Sequence, residues 1–579
     1  MTDLQEAYVG FPQSSSPTET RAACEEWGVA RCPLKLEYWE NILDQCGFRP
    51  NFKEWMLRTI AEGVDIGYRG EPRNHRPYDR VKTLEEVQLL TLQYEEESTL
   101  GRVVKAGKTP PSGKWFPRFF VSPTYTIPKK RVIGQPQKWR LIHDLSSHSW
   151  GHSWSINAGI QKAEFPVTYP TIATAAHQVF CKAKRGSVLW GRDLKAYYRH
   201  LMINPAYWWC TGTHLEGKYY FDCYCPFGAR SMPAVFQRLT DAIRVIMLRE
   251  TPVEGLLGML DDFLGITYRK DGESDDDLLK RGQIAAKAFD DELMKMGMTK
   301  QCKKDSPTAW KAVWLGFEFD TKESTLAIPQ KKEEAVIWKI QEEFFDEHGG
   351  LMPFVNTVQL GKMVGTFCHM SQGWALGKTL LWPLYKILSA YKEYTPEGKH
   401  YYRKAQAELG GDAAASMMEW YERINICGIY KKFFPCDGKH QTTTFELWTG
   451  KNTKMPQNKA KQEKYVKLVS PWGTSKSMMD QSASTLGMRP GHQKVALGIA
   501  LLLGCLEKHV EECSDIIVIK TNVSAFERYI SKDCYPAGLR RQSYLDSIKL
   551  HRLLATPDKD GEGGNRMMHP RQLKSWFVS

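Results

Sequence analysis

Two adjacent aspartates interrupt the apolar run GMLDDFLGI, Gly258 to Ile266, which is short enough to be one strand or hairpin. Asp is among the poorest strand formers and is costly to bury unpaired, so Asp261 and Asp262 need compensation. Capping a turn or facing solvent would supply it. So would a cation shared with other carboxylates.

A second acidic strand-like segment lies upstream, VLWGRDLKAYY with Asp193, and between the two comes CPFGARSMPAVFQRLTDA, a Pro and Gly turn leading into a helical pattern. Carboxylates brought together from two neighbouring strands repel unless divalent cations sit between them. Hard oxygen ligands of this kind suit magnesium. Two such ions about 4 Å apart would activate an attacking hydroxyl and stabilise a leaving pyrophosphate.

The chain has 579 residues, too many for one core, so about three to five structural units are expected. Its formal net charge of +13 favours an anionic partner, most simply nucleic acid. The longest apolar run, VALGIALLLGCL, is too short to span a bilayer and reads as a buried helix. The opening residues lack the basic start and apolar stretch of a secretory signal. No CxxC pair suggests zinc, and Cys223 and Cys225 read as reduced thiols. The expected location is intracellular, nucleus or cytoplasm, with no membrane partner.

Residues 1–35 are rich in Ser, Pro and Thr and read as a flexible leader; helical spacing follows over 36–100. KTPPSGKWFPRFFVSPTYTIPKK reads as extended, because proline and the residue before it disfavour helix. Short apolar runs alternating with longer helical patterns up to Thr321 indicate an α+β or α/β unit with a small sheet. Helical patterns dominate from Lys331 to about Tyr430, and TTTFELW and DIIVIKTN beyond them are candidate strands. No internal repeat is visible.

In order and approximate spacing, Asp193, Pro226 to Phe236, and MLDDF resemble the palm motifs of reverse transcriptases. KWRLIHDLSSHSWGHSWSIN resembles their fingers segment, GMTKQCKKDSP the segment carrying a lysine near the triphosphate, and VWLGFEFDT the primer grip. GVDIGYRG, VSPTYTIPKK, PFGARSMPAVFQR and LGKMVGTFCHMSQGW look like the DIRS type of retroelement, which pairs this polymerase with a tyrosine recombinase. The resemblance implies an α+β right-hand polymerase with fingers and palm over 101–325, a helical thumb or connection over 326–428, and a ribonuclease H-like α/β domain over 429–579.

Roles follow by motif from the resemblance. Asp193 and Asp261 would be the principal metal ligands, with Asp262 assisting and the Leu194 carbonyl a further donor, for two Mg2+ ions or Mn2+ in their place. Lys138 and Arg140 would contact the triphosphate, and Lys304, or alternatively Lys303, would protonate pyrophosphate. Tyr198 would exclude a 2′-hydroxyl, Phe227 and Gly228 would line the nucleotide pocket, and Trp314, Leu315 and Gly316 would steady the primer end. Gln237 and Arg238 face either the template or solvent. Met259 departs from the aromatic residue commonest in the family at that position.

The C-terminal region follows a ribonuclease H pattern without its carboxylates. Asn522 stands where Asp is expected, Gly450 replaces the aspartate after the first strand, Ala496 or Leu497 takes the place of a glutamate, and Met568 and His569 replace Ala-Asp. Asn is a neutral ligand and Gly none, so the expected domain is inactive as a nuclease. The implied function is an RNA-directed DNA polymerase extending a primer with dNTPs. Its partners would be an RNA template, a DNA primer and their RNA–DNA hybrid. The alternative is a domesticated, inactive polymerase-fold protein acting as a nucleic-acid-binding scaffold. Oligomeric state is not legible.

Overall fold

The computed structural model describes residues 15–76, 82–128, 137, 139–147, 154–181, 186–301, 305–374, 377–394 and 400–432, together with the backbone of 442–447, 516–521 and 565–568. It divides into two compact units that interleave along the chain. The first is Met1–Pro170, Leu189–Thr267 and Leu279–Thr308; the second is Thr171–Val188, Tyr268–Leu278 and Ala309–Ser579.

The first unit begins with helices α1 (Pro17–Trp27), α2 (Leu36–Gln45), α3 (Pro50–Glu62) and α4 (Leu84–Thr99). Helix α1 lies inside the stretch whose composition suggests a flexible leader. Its local pattern overrides composition: Ser16 accepts from the Glu19 N–H, the Glu19 carboxylate accepts from the Ser16 N–H, Pro17 follows the cap, and Gly28 ends the helix at φ 64°. Ala23 and Cys24 of α1 then join Trp39, Leu43, Trp55 and Met56 in the unit's core. The Pro-rich segment after strand β1 (Val103–Gly107) forms no helix; it makes a tight turn between Gly113 and Phe116 and ends in β2 (Thr124–Pro128), which pairs with β3 (Trp139–His143).

After a short helix α5 (Ile172–Ala176) come β4 (Ser187–Asp193), β5 (Gly212–Leu215), β6 (Lys218–Asp222), α6 (Met232–Glu250), β7 (Gly255–Met259), β8 (Asp262–Tyr268), α7 (Asp275–Met296) and β9 (Ser306–Ala309). One sheet has the order β1-β6-β5 and another the order β7-β8-β4-β9. Trp190, Phe263 and Phe289 carry the packing of the second sheet on α7: Phe289 lies 5.3 Å from each of the other two rings, and all three are fully buried. Burying each such side chain contributes about 1.5–3 kcal/mol. Gly265 of the GMLDDFLGI run is fixed by this packing, since a Cβ there would lie 2.0 Å from the Trp190 ring.

The second unit holds a sheet of order β10-β11-β12-β17, from β10 (Lys311–Trp314), β11 (Phe317–Asp320), β12 (Thr325–Ala327) and β17 (Tyr430–Lys432). Helices α8 (Gln330–Phe344), α9 (Thr357–Met370), α10 (Gly377–Ser389) and α11 (Gly411–Glu422) carry its core, where Phe367 stacks on Trp420 at 4.5 Å and 3°. Two short ladders interrupt the helices: β13 (Phe354–Asn356) with β16 (Gln406–Glu408), and β14 (Lys392–Tyr394) with β15 (His400–Tyr402). Strands of three residues carry no period, so helical spacing alone does not reveal them.

The candidate strands near the C-terminus form a further, three-stranded sheet. β18 (Thr442–Leu447) runs parallel to β19 (Ile516–Thr521), which pairs antiparallel with β20 (Asn565–Met568). Among the described residues no helix is long and apolar enough to cross a membrane. Cys223 and Cys225 are buried free thiols.

Candidate active site

The acidic run is a hairpin. Met259 pairs with Asp262, so Leu260 and Asp261 form a two-residue loop between β7 and β8. Leu260 sits at φ 54°, a left-handed conformation that hairpin loops demand and that leucine resists. Helix α6 holds the loop there. The Gln237 amide donates to the Gly258 carbonyl at 3.1 Å and accepts from the Leu260 N–H at 3.0 Å, and the Thr240 hydroxyl donates to the Leu260 carbonyl at 2.7 Å. Gln237 is 3% exposed, so it faces neither template nor solvent. A sequence signal for this exists: Gln237 and Thr240, three apart, both fall on the otherwise apolar stripe of α6.

The other acidic segment meets this loop through the backbone. The Leu194 N–H donates to the Asp261 carbonyl at 2.9 Å, which sets the end of β4 beside the hairpin turn. On the far side, the Gln301 N–H donates to the Asp193 carbonyl at 2.7 Å and the Lys195 N–H to the Thr299 carbonyl at 2.9 Å. Arg192 and Lys300 anchor this edge. Arg192 bonds Asp290 of α7 at 2.8 Å, while Lys300 reaches Asp290 at 2.6 Å and Asp305 at 3.1 Å. Asp193, Asp261 and Asp262 are all half-buried.

Tyr198 stands on the tight turn after Asp193 and is nearly buried. Its ring stacks on Phe227 at 4.7 Å and packs on Phe236 at 4.4 Å. Burial, then Tyr169 and the Asp261 charge, push the Tyr198 hydroxyl well above its usual range; burial and Asp261 act on the Tyr197 hydroxyl in the same direction. The Asp261 charge thus raises both tyrosine hydroxyls. Phe227 is more than half exposed, and Gly228 follows at φ 114°, where a Cβ would lie 2.5 Å from the His143 carbonyl. Only glycine fits so close an approach. Asn157 ties this turn down, donating to the Gly228 carbonyl at 2.8 Å and accepting from the Arg230 N–H at 2.8 Å.

Arg140 is exposed on β3, opposite Ile127 of β2. Lys138, Lys303 and Lys304 lie outside the described residues, as do Gly450, Ala496, Leu497, Asn522 and His569. Trp314, Leu315 and Gly316 belong to the second unit, where Leu315 (φ 48°) and Gly316 (φ 79°) form the tight loop between β10 and β11 and Trp314 is buried. Positive φ at both loop residues matches the twist of a two-residue hairpin.

No family model and no curated protein matches the chain. Three solved structures of the foamy viral protease-reverse transcriptase are similar to it. The one in complex with RNA/DNA hybrid shares 14% identity at a TM-score of 0.43, over 71% of this chain and 48% of that one. The form designated dRH, in complex with double-stranded DNA, shares 15% at 0.45, over 75% and 67%. A third, also with double-stranded DNA, shares 13% at 0.46, over 88% and 93%. The chain thus spans about half the length of the first of these and nearly all of the last.

Proposed function

We propose that the chain is an RNA-directed DNA polymerase of a DIRS-like retroelement, extending a DNA primer on an RNA template. The observation that carries this reading is the Leu194 N–H to Asp261 carbonyl bond, which sets the two acidic segments side by side. Among the described residues no three Asp, Glu, His or Cys side chains gather as a closed metal cage. Magnesium is commonly held by one or two carboxylates, with substrate phosphates and water completing its shell. Asp193, Asp261 and the Leu194 carbonyl are donors of that kind, with Asp262 beside them, so these residues fit ions that arrive with a nucleotide. When bound, two Mg2+ or Mn2+ ions would activate the primer hydroxyl and neutralise charge on the leaving pyrophosphate.

The chain's own residues would do the rest. Arg140 and Lys138 would hold the triphosphate, the guanidinium in a bidentate fork. The stacked Tyr198 and Phe227 would pack against the deoxyribose and leave no room for a 2′-hydroxyl, while Gly228 lets the backbone approach. Lys304, or Lys303, would deliver a proton to pyrophosphate. Trp314, Leu315 and Gly316 remain the proposed primer grip. The C-terminal domain, with Gly450, Ala496, Asn522 and His569 at the nuclease positions, would leave the RNA strand of the hybrid uncut.

Primer extension tests this reading with poly(rA) template, oligo(dT) primer, dTTP and either Mg2+ or Mn2+. Extension by the wild type that chelation abolishes is the expected outcome. Absence of extension in either metal would overturn it and favour the scaffold alternative.

A further inference from the structure

Behind Tyr198 lies a buried charged network that none of the roles above uses. The Arg199 guanidinium donates to the Asp222 carboxylate at 2.8 Å and to the Tyr224 carbonyl at 3.1 Å, and pairs with Glu97 of α4 at 3.4 Å. Asp222 also faces His143 Nδ1 at 3.5 Å, and the opposite ring nitrogen, Nε2, donates to the Gly212 carbonyl at 3.2 Å. Side-chain exposure is 12% for Arg199, 17% for Glu97, 2% for Asp222 and 1% for His143. Charges so deeply buried are rarely a route to stability alone, because desolvation offsets most of their attraction. A geometric role accounts for them better.

The network closes a ring around the floor of the proposed nucleotide pocket. Arg199 is the neighbour of Tyr198 on one tight turn. Its bond to the Tyr224 carbonyl fixes the segment that leads from β6 into the turn of Phe227, the ring on which Tyr198 stacks. Asp222 carries the tie to His143, whose carbonyl is the atom packed against Gly228. His143 shares β3 with Arg140. The Tyr198, Phe227, Gly228 and Arg140 walls are therefore all referred to one guanidinium–carboxylate pair.

We propose that Arg199 and Asp222, braced by Glu97, are positioning residues that set the discrimination between deoxyribo- and ribonucleotides by fixing Tyr198 against Phe227. The inference rests on the polymerase reading and deepens it. It is tested by measuring kcat/KM for dTTP and for UTP on poly(rA)/oligo(dT) with the wild type, Tyr198→Ala, Arg199→Met, Arg199→Lys and Glu97→Gln. Arg199→Met should lower the dTTP-to-UTP ratio by about tenfold, a fraction of what a full ångström of misplacement costs. Arg199→Lys should not restore the ratio, since one ammonium cannot span Asp222, Glu97 and the Tyr224 carbonyl in a fixed fork. Glu97→Gln, at the better hydrated end, should lower it less and stay folded. That variant decides the matter if Arg199→Met fails to fold. Folded variants that extend with the wild-type ratio would overturn the inference and leave the polymerase reading standing; a wild type that cannot extend would overturn both.

Discussion

Leu260 holds a backbone conformation that costs a non-glycine residue about 1–3 kcal/mol, and it does so at the turn that carries Asp261. Two bonds from Gln237 and one from Thr240 meet that loop, each of the order of 1 kcal/mol, so clamp and strain are of the same size. Gln237→Ala should therefore lower unfolding stability by about 1–3 kcal/mol. Relaxation of the loop should also slow single-turnover extension by about tenfold or more. Denaturant unfolding and rapid-quench extension measure the two effects. A variant equally stable and equally fast would mean that the hairpin holds its shape unaided. At this scale the aspartates were legible, because an acid within an apolar strand demands explanation from sequence alone. The role of Gln237 was only half legible: its place with Thr240 on the apolar stripe of α6 marks it as buried, but the sequence does not say which loop its amide meets.

At the scale of elements, the turn Tyr197–His200 is locked to the 299–301 segment through one imidazole. The His200 Nδ1–H donates to the Tyr197 carbonyl at 3.1 Å, and Nε2 accepts from the Thr299 N–H at 3.1 Å, which fixes a neutral tautomer. Burial above all, with Arg102 adding to it, lowers the His200 pKa below its ordinary 6.5. The unfolded chain then takes up a proton that the fold resists. The contribution of His200 is complete above about pH 6.5 and is lost as pH falls below that value. The urea midpoint should drop from pH 7 to pH 5. His200→Gln should start from lower stability and show a shallower drop, whereas an equal drop in both proteins would assign the titration elsewhere. Helix α1 teaches the complementary lesson about legibility. Ser, Pro and Thr content argues for a chain without structure, yet Ser16-Pro17-Thr18-Glu19 is a capping box, and the local pattern prevails once Ala23 and Cys24 find a core. The three-residue strands β13 to β16 had no such signature to read.

At the scale of the molecule, the α+β character and the alternation of short strands with long helices through β4, α6, β7, β8 and α7 were visible as changes of hydrophobic period. The division into units was not. Thr171–Val188 and Tyr268–Leu278 cluster with Ala309–Ser579, and no single cut along a linear chain reproduces that grouping. The expected loss of nuclease carboxylates concerns positions outside the described residues, so it is addressed by the fate of the RNA strand in an extension reaction.

The central claim is that Asp193 and Asp261 serve one metal-dependent site for phosphoryl transfer. It is tested most directly by the single-turnover extension rates of Asp193→Asn, Asp261→Asn and the double variant in magnesium. Residues that act as one unit are strongly non-additive, so each single change should cost at least about a thousandfold and the pair little more. Extension near the wild-type rate by either single variant, or losses that simply multiply in the double, would contradict the account.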